Sequence, residues 1–369
     1  MPSQRTRVLP VTPVALELRL GYSPYRENNH RILKKRVPRA FAVIPAYRAS
    51  ATLAAVVEQC LGVVDHVIVV DDACPENCSA VLSTGAKEPR VTVVRRGRNG
   101  GVGAATKDGI AEALRLGAEV IVKVDADGQM DTRYVPHMIE FLGSQPEVDL
   151  VKGNRFADPA TLRRMPVARL IGNAGLTFLV KFSSGYWTIV DPTNGFIAAR
   201  ASALRRMNLD VLSDRYFFEI DLLCSFGLAR RAIAELEMPA IYGDESSSLS
   251  IRRALLTFPG RLLSRFLKRL LVNYLIVEIN VGTVCAVVGI PLLIAGVVFG
   301  SHEWLISVAS GPRPTGVIIL ALLLFILGFQ LTMQALFYDI QFSTRTVKIR
   351  RDPEEDVASE VASREVFFA

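Results

Sequence analysis

"EVIVKVDADGQM", residues 119–130, sets two aspartates one residue apart directly after a short apolar run. The run reads as a buried strand, and Gly128 permits a tight turn behind it. Asp125 and Asp127 repel each other, so a cation is expected between them. Hard cations such as Mg²⁺ and Mn²⁺ favour oxygen ligands, usually one or two carboxylates with phosphate oxygens from a substrate. Asp125, Asp127 and Gln129 are the candidate ligands. A metal held there would neutralise a diphosphate leaving group, which points to a nucleoside-diphosphate substrate. The other reading of the pair is a solvated loop.

Outward from this stretch, strands and helices alternate. "AFAVIPAY" (40–47) reads as a strand, and "SATLAAVVEQCL" (50–61) as a helix with Ser50 as its cap. "HVIVVDD" (66–72) and "RVTVV" (90–94) follow as strands, then "GVGAATKDGIAEALRLG" (101–117) as a helix entered through glycines. "RYVPHMIEFL" (133–142) is a further helix, preceded by Thr132. This order predicts an α/β fold with a mostly parallel sheet and helices on both faces. Ligands of such sheets bind at the carboxyl ends of the strands. Pro45 and Tyr47, Asp71 and Asp72, and Asp125 and Asp127 all fall at such ends and suggest one site. The glycine run "NGGVGAA" (99–105) either faces a phosphate with its N–H groups or allows close backbone packing.

The 369 residues are 50% hydrophobic, with a formal charge of +7 and a mean hydropathy of +0.30. That balance suggests that part of the apolar material faces lipid, and nothing in it calls for nucleic acid. Two runs, about 275–299 and 315–338, are long enough to cross ~30 Å of hydrocarbon. Pro291 is expected to kink the first. Arg252, Arg253, Arg261, Arg265, Lys268 and Arg269 precede the spans, Arg345, Lys348, Arg350 and Arg351 follow them, and the loop between carries only Arg313. Both termini are therefore expected in the cytoplasm. "RLLSRFLKRLL" (261–271) has a basic face and an apolar face. It reads as a helix in the headgroup layer or as one packed on the soluble domain, with Pro259-Gly260 breaking the chain ahead of it. The expected organisation is a basic arm (1–39), a cytosolic domain (40–245), juxtamembrane helices (246–272), a transmembrane hairpin (273–339) and a tail (340–369). Cys60, Cys74, Cys78, Cys224 and Cys285 read as reduced thiols, and "CPENC" (74–78) lacks the second pair a zinc site needs.

"VIPAYRA", "VIVVDDA", "RNGGVGAATKDGI", "VKVDADGQ", "VKGNRF", "DPTNGFIAAR" and "YGDESSSLS" occur in this order. The combination resembles glycosyltransferase family 2, and more narrowly its polyprenyl-phosphate sugar synthases, over about residues 40–338. The resemblance implies the A-type glycosyltransferase fold, with interfacial amphipathic helices and two transmembrane helices after it. It implies inverting transfer from a nucleoside-diphosphate sugar, of the UDP-glucose or GDP-mannose type, to dolichyl or undecaprenyl phosphate at the cytosolic face of the inner or plasma membrane. Pro45, Tyr47, Asp71 and Asp72 would surround the nucleoside, with Ser247 in a segment that closes near the donor. Asp125, Asp127 and Gln129 would hold Mg²⁺ or Mn²⁺ and the sugar diphosphate. Arg155 would bind the acceptor phosphate, assisted by Arg169 and Asn173. A homo-oligomer, such as a tetramer, follows by analogy alone. The chain departs from the family at Arg48-Ala49, Ala73-Cys74 and Ser248. Glu219 and Asp221 either orient the acceptor or close a structural hydrogen bond. Two rivals remain: transfer to a glycan hydroxyl, which needs a general base, and a non-catalytic sugar-nucleotide-binding membrane scaffold.

Overall fold

A computed structural model describes residues 37–83, 88–156, 167–239, 251–342 and 346–349, all within one compact unit. Eight strands form one sheet in the order β3-β2-β1-β4-β6-β5-β7-β8. They are β1 (Ala40–Ala46), β2 (His66–Asp71), β3 (Val91–Arg95), β4 (Val120–Lys123), β5 (Val148–Asn154), β6 (Ile197–Arg200), β7 (Ala232–Glu237) and β8 (Thr346–Ile349). Only β6 runs antiparallel to its neighbours β4 and β5. The strands that end in the predicted polar clusters are parallel neighbours, with Ala46 opposite Asp71 and Val43 opposite Lys123. Their carboxyl ends therefore share one rim.

Both faces of the sheet are covered, as an unbroken apolar strand such as β1 requires. On one face, α1 (Leu53–Leu61) and α3 (Val135–Ser144) bury Leu53, Val57, Met138 and Leu142. On the other, α2 (Val102–Arg115) and α6 (Phe218–Leu228) bury Ala105, Ile110, Phe218 and Leu222. The helices α4 (Val167–Ser184) and α5 (Ala201–Arg205) precede and follow β6. α1 begins at Leu53, not at Ser50. Ser50 instead donates to Glu76, and Thr52 donates to the carbonyl of Ala126, pinning the turn after β4.

The C-terminal third departs from expectation at several points. The helix α7 (Ile251–Leu270) runs through Pro259 rather than stopping there. Phe258 and Leu262 are both buried and anchor it on either side of the proline, which compensates for the missing backbone hydrogen bond. Its basic face is divided: Arg261 and Lys268 are exposed, and the other two basic residues turn inward. Arg265 pairs with buried Asp221, and Arg269 pairs with Asp339 and donates to the carbonyl of Phe182. Leu263, Leu267 and Leu271 are exposed as well, beside Ser264 and Lys268. Helical periodicity reveals two faces but not which one docks on the protein.

After a π-helical turn (Leu271–Val277) the chain is extended at Glu278, and α8 spans Val281–Ser310. The first apolar helix thus starts later than residue 275, because Asn280 and Thr283 form a reciprocal cap that restarts the helix. α9 spans Thr315–Gln341. Both helices are long and apolar enough to cross a membrane, and only 28% and 6% of their most apolar windows are buried. That exposure is unlike the core helix of a soluble protein. Gly282, Gly289 and Gly296 recur every seven residues on α8 and lie against Tyr338, Leu331 and Phe325 of α9, so the two backbones approach closely. The chain then returns to the sheet, where β8 pairs with β7. This strand lies inside what the sequence suggested was only a tail.

Candidate active site

Strand β4 brings Asp125 to the rim and also delivers Lys123, whose side chain is 2% exposed. Lys123 Nζ stands 2.6 Å from Asp125 Oδ1 and 3.1 Å from Glu219 Oε1. Burial opposes a charge on Lys123, but the two carboxylates outweigh it and hold the ammonium's pKa above its ordinary value. The cation expected beside the aspartates is thus partly built into the chain. Asp127 Oδ1 accepts from the N–H of Gln129, and Gly128 turns the chain at a φ of 74°. Among the described residues no group of three or more His, Cys, Asp or Glu side chains is clustered for a metal. Two carboxylates and an amide nevertheless form an all-oxygen set of the kind completed by substrate phosphates.

The loop 191–196, "DPTNGF", links two parts of the rim. A Cβ at Gly195 would lie 2.6 Å from Lys123 Nζ and 3.1 Å from Asp125 Oδ2, so only glycine fits there. At the loop's other end, fully buried Asp191 accepts from Arg155 Nε at 2.8 Å and Nη2 at 3.1 Å. Burial works against the Asp191 charge, but Arg155 and Lys152 keep its pKa below the usual value. Arg155 thus projects from the end of β5 with its guanidinium plane fixed. Lys152, fully buried one turn of the strand earlier, donates to the carbonyl of Asn194. Burial pushes its pKa down to about 8, against the pull of Asp191.

Behind Asp191 stands Glu235, which is fully buried on β7. It accepts from the N–H groups of Val190 and Asp191 and pairs with Lys348 of β8. Beside Arg155, a hollow of about 360 Å³ is lined by Phe156, Leu170, Asn173, Phe178, Lys181 and Val190.

Pro45 lies in the buried strand β1. Tyr47 is 43% exposed at its end, under the guanidinium of Arg48. Asp71 accepts from Cys74 N–H and Ser79 Oγ. Asp72 accepts from Arg96 and from the N–H groups of Gly100 and Gly101. The glycine run therefore addresses a carboxylate of the chain itself. Cβ atoms at Gly101 and Gly103 would lie 2.8 Å from the Asp214 carbonyl and 2.3 Å from the Ser213 carbonyl, so close backbone packing also uses the run. Arg169 is on α4, and Ser247 lies outside the described residues. Asp221 accepts from Ser213 and pairs with Arg265, which is the structural alternative, whereas Glu219 faces Asp125 across Lys123.

Nothing local in the sequence marks Lys123, Lys152, Asp191, Gly195 or Glu235 as site residues, and Lys348 reads there only as one of the basic residues after the spans. Lysines inside the apolar strands "VIVK" and "VDLVKGN" were the available signal, since a buried lysine requires a partner.

Residues 41–208 match the family model described as glycosyl transferase family 2. Over this segment the chain is similar to glycosyl transferase family 2. Two similar proteins act on lipid phosphates, by their names. One is the UDP-N-acetylglucosamine–dolichyl-phosphate N-acetylglucosaminyltransferase of Methanococcus voltae, 27% identical over 56% of this chain and 87% of its own length. The other is the undecaprenyl-phosphate mannosyltransferase of Micrococcus luteus, 28% identical over 55% of this chain and 83% of its own. A solved structure of glucosyl-3-phosphoglycerate synthase from Mycobacterium tuberculosis, with Mn²⁺, UDP-glucose and phosphoglyceric acid, aligns at a TM-score of 0.46 and 20% identity, covering 66% of this chain and 85% of that one. In this chain the paired aspartates, Glu219 and the Arg155–Asp191 pair all stand around one rim.

Proposed function

We propose that this protein transfers a sugar, with inversion, from a nucleoside-diphosphate sugar to the phosphate of a polyprenyl phosphate at the cytoplasmic face of a membrane. The observation that carries the reading is the loop 191–196. It holds Arg155 through Asp191 and lies against Asp125 and Lys123 through Gly195. An arginine suited to a phosphate is thereby tied to carboxylates suited to a diphosphate. The hollow beside Phe156 and the two long apolar helices suit a lipid-borne acceptor. The acceptors named for the two relatives support the same class.

The chemistry then falls to positioning. A phosphate monoester is already anionic near neutral pH, so it needs no general base to attack the anomeric carbon. Arg155 grips it through two hydrogen bonds while Asp191 keeps the guanidinium from turning. Arg169 and Asn173 assist on the acceptor side. Pro45, Tyr47, Asp71 and Asp72 shape the nucleoside end, and Ser247 closes over the donor. Asp125, Asp127 and Gln129 would hold Mg²⁺ or Mn²⁺, which when bound neutralises the departing diphosphate. Lys123 keeps Asp125 and Glu219 apart at a fixed spacing and adds positive charge beneath them.

Glu219 favours a second reading, because a carboxylate opposite Asp125 could serve as general base for a hydroxyl acceptor. Incorporation of labelled sugar from a panel of nucleotide sugars, with and without divalent metal, decides between them. Label in a prenyl-phosphate lipid extract supports the first reading and label in a polymer the second. No turnover with any donor would leave a sugar-nucleotide-binding scaffold.

A further inference from the structure

The turn after Asp71 and Asp72 carries chemistry that sugar transfer does not use. "CPENC" (74–78) brings two sulfurs together there. Cys74 Sγ accepts from the N–H of Arg48 at 3.1 Å. The N–H groups of Glu76 and Cys78 and the thiol of Cys78 act in the same sense, each favouring the charged sulfur. Three non-glycine residues around the sulfur, Arg48, Ala73 and Asn77, adopt the left-handed backbone, with φ of 53°, 52° and 48°. Such residues seldom adopt it without cause. Arg48 presents its own N–H to the sulfur, and Asn77 N–H closes the turn on the Cys74 carbonyl.

We propose that Cys74 is a nucleophilic thiol and a modification site at the nucleoside end of the donor cleft, with Cys78 as its disulfide partner. The cage of donors favours thiolate over thiol. Burial works against the charge, yet the backbone N–H groups bring the Cys74 pKa below its ordinary value. Burial and the hydrogen bond to Cys74 push Cys78 the other way, to about 12. Cys74 is also half-buried, whereas Cys60, Cys78, Cys224 and Cys285 are buried. It is the thiol that a reagent in water reaches first.

The oxidant is a peroxide. The Cys74 thiolate attacks one oxygen of hydrogen peroxide; an S–O bond forms, the O–O bond breaks, and hydroxide leaves to be protonated to water. Cys78 then gives up its proton and attacks the Cys74 sulfur. An S–S bond forms, the S–O bond breaks, and a second water leaves. Two thiols are oxidised and one peroxide is reduced. The Cys74 N–H donates to Asp71, and Arg48 follows Tyr47, so the modified sulfur would sit between two donor-side residues. That placement rests on the proposed function, whereas the thiol chemistry does not.

Limiting iodoacetamide is added to the purified, donor-free protein in detergent, and the cysteine peptides are followed by mass spectrometry. Cys74 is expected to react about tenfold faster than any of the other four. Hydrogen peroxide is expected to link Cys74 to Cys78, and Cys78→Ser to stop at a sulfenic acid on Cys74 that dimedone captures. Equal alkylation rates, or both residues still open to alkylation after peroxide, would overturn the inference. UDP or GDP in the alkylation should slow Cys74. An unchanged rate, with the thiol chemistry intact, overturns its placement in the donor cleft and leaves the sugar-transfer assay as the judge of the proposed function.

Discussion

Lys123 Nζ lies 2.6 Å from Asp125 Oδ1, so the residue two positions ahead of the first aspartate already neutralises part of the pair's charge. In Lys123→Met, Asp125 and Glu219 would face each other without a cation. We expect sugar transfer to fall by about 100-fold. Mn²⁺ affinity should move the other way, tightening roughly tenfold, because a competing positive charge is gone. Electron paramagnetic resonance titration with Mn²⁺ reads the second effect without turnover. Gly195→Ala, which sets a methyl against the same ammonium, should lower transfer in the same direction.

Arg155 is held by Asp191, Asp191 by Glu235, and Glu235 by Lys348 from beyond the apolar hairpin. Arg155→Lys keeps the charge but loses the fork. The KM for polyprenyl phosphate should rise about tenfold, with the KM for the nucleotide sugar little changed. Lys348→Met should give a smaller rise in the same KM and a lower melting temperature. Steady-state kinetics with each substrate varied in turn separates the two constants.

Arg269 and Asp339 join α7 to the end of α9, and Trp187 and Tyr274 also donate to the aspartate. Removing one partner of a buried pair leaves an uncompensated charge, at a cost of about 3–5 kcal/mol. Asp339→Leu and Arg269→Met should each destabilise the protein in detergent by that order. The double variant should recover much of the loss. Additive losses in thermal unfolding would show that the two residues act independently.

The glycines at 282, 289 and 296 set the spacing of α8 and α9. Gly289→Leu would drive a side chain into Leu331 and Thr332, where even a Cβ comes within 2.7 Å. Overpacking of this kind costs about 1–3 kcal/mol. We expect a lower melting temperature for Gly289→Leu and a near-normal one for Gly300→Leu, whose added Cβ meets only ordinary contacts.

Lys152 supplies a pH test. Its pKa is about 8 when folded, against an ordinary 10.5. Between those values the unfolded chain binds more protons at this site than the folded one. Stability contributed by the site therefore rises with pH across that window, by a total on the order of 3 kcal/mol. Wild type should gain on Lys152→Met as pH climbs from about 8 to 10.5, and the difference should be flat below. Paired melting curves across that range check the sign.

Residues 119–130 made the core of the fold legible, because a four-residue apolar strand followed by Asp-Ala-Asp-Gly has few alternative readings, and β1, β2 and β3 repeat its pattern. The shared rim of Tyr47, Asp71 and Asp125 followed from strand polarity alone. β8 did not, because "TVKI" is too short to stand out and pairs with a strand more than a hundred residues earlier. Nor did the role of Asp72, whose partners are the distant Arg96 guanidinium and the N–H groups of Gly100 and Gly101.

Local order was the part determined by the sequence itself: alternating strands and helices, two long apolar helices, and an acidic turn at a strand end. Hydrophobic period and turn chemistry act over a few residues, and a linear string records them. Tertiary structure alone decided which buried charge meets which: Lys123 with Glu219, Arg155 with Asp191, Arg269 with Asp339. It also decided which face of α7 docks. These are long-range pairings, and in a buried setting a charge is tolerated only beside its counter-charge, so the packing of distant elements selects the partner.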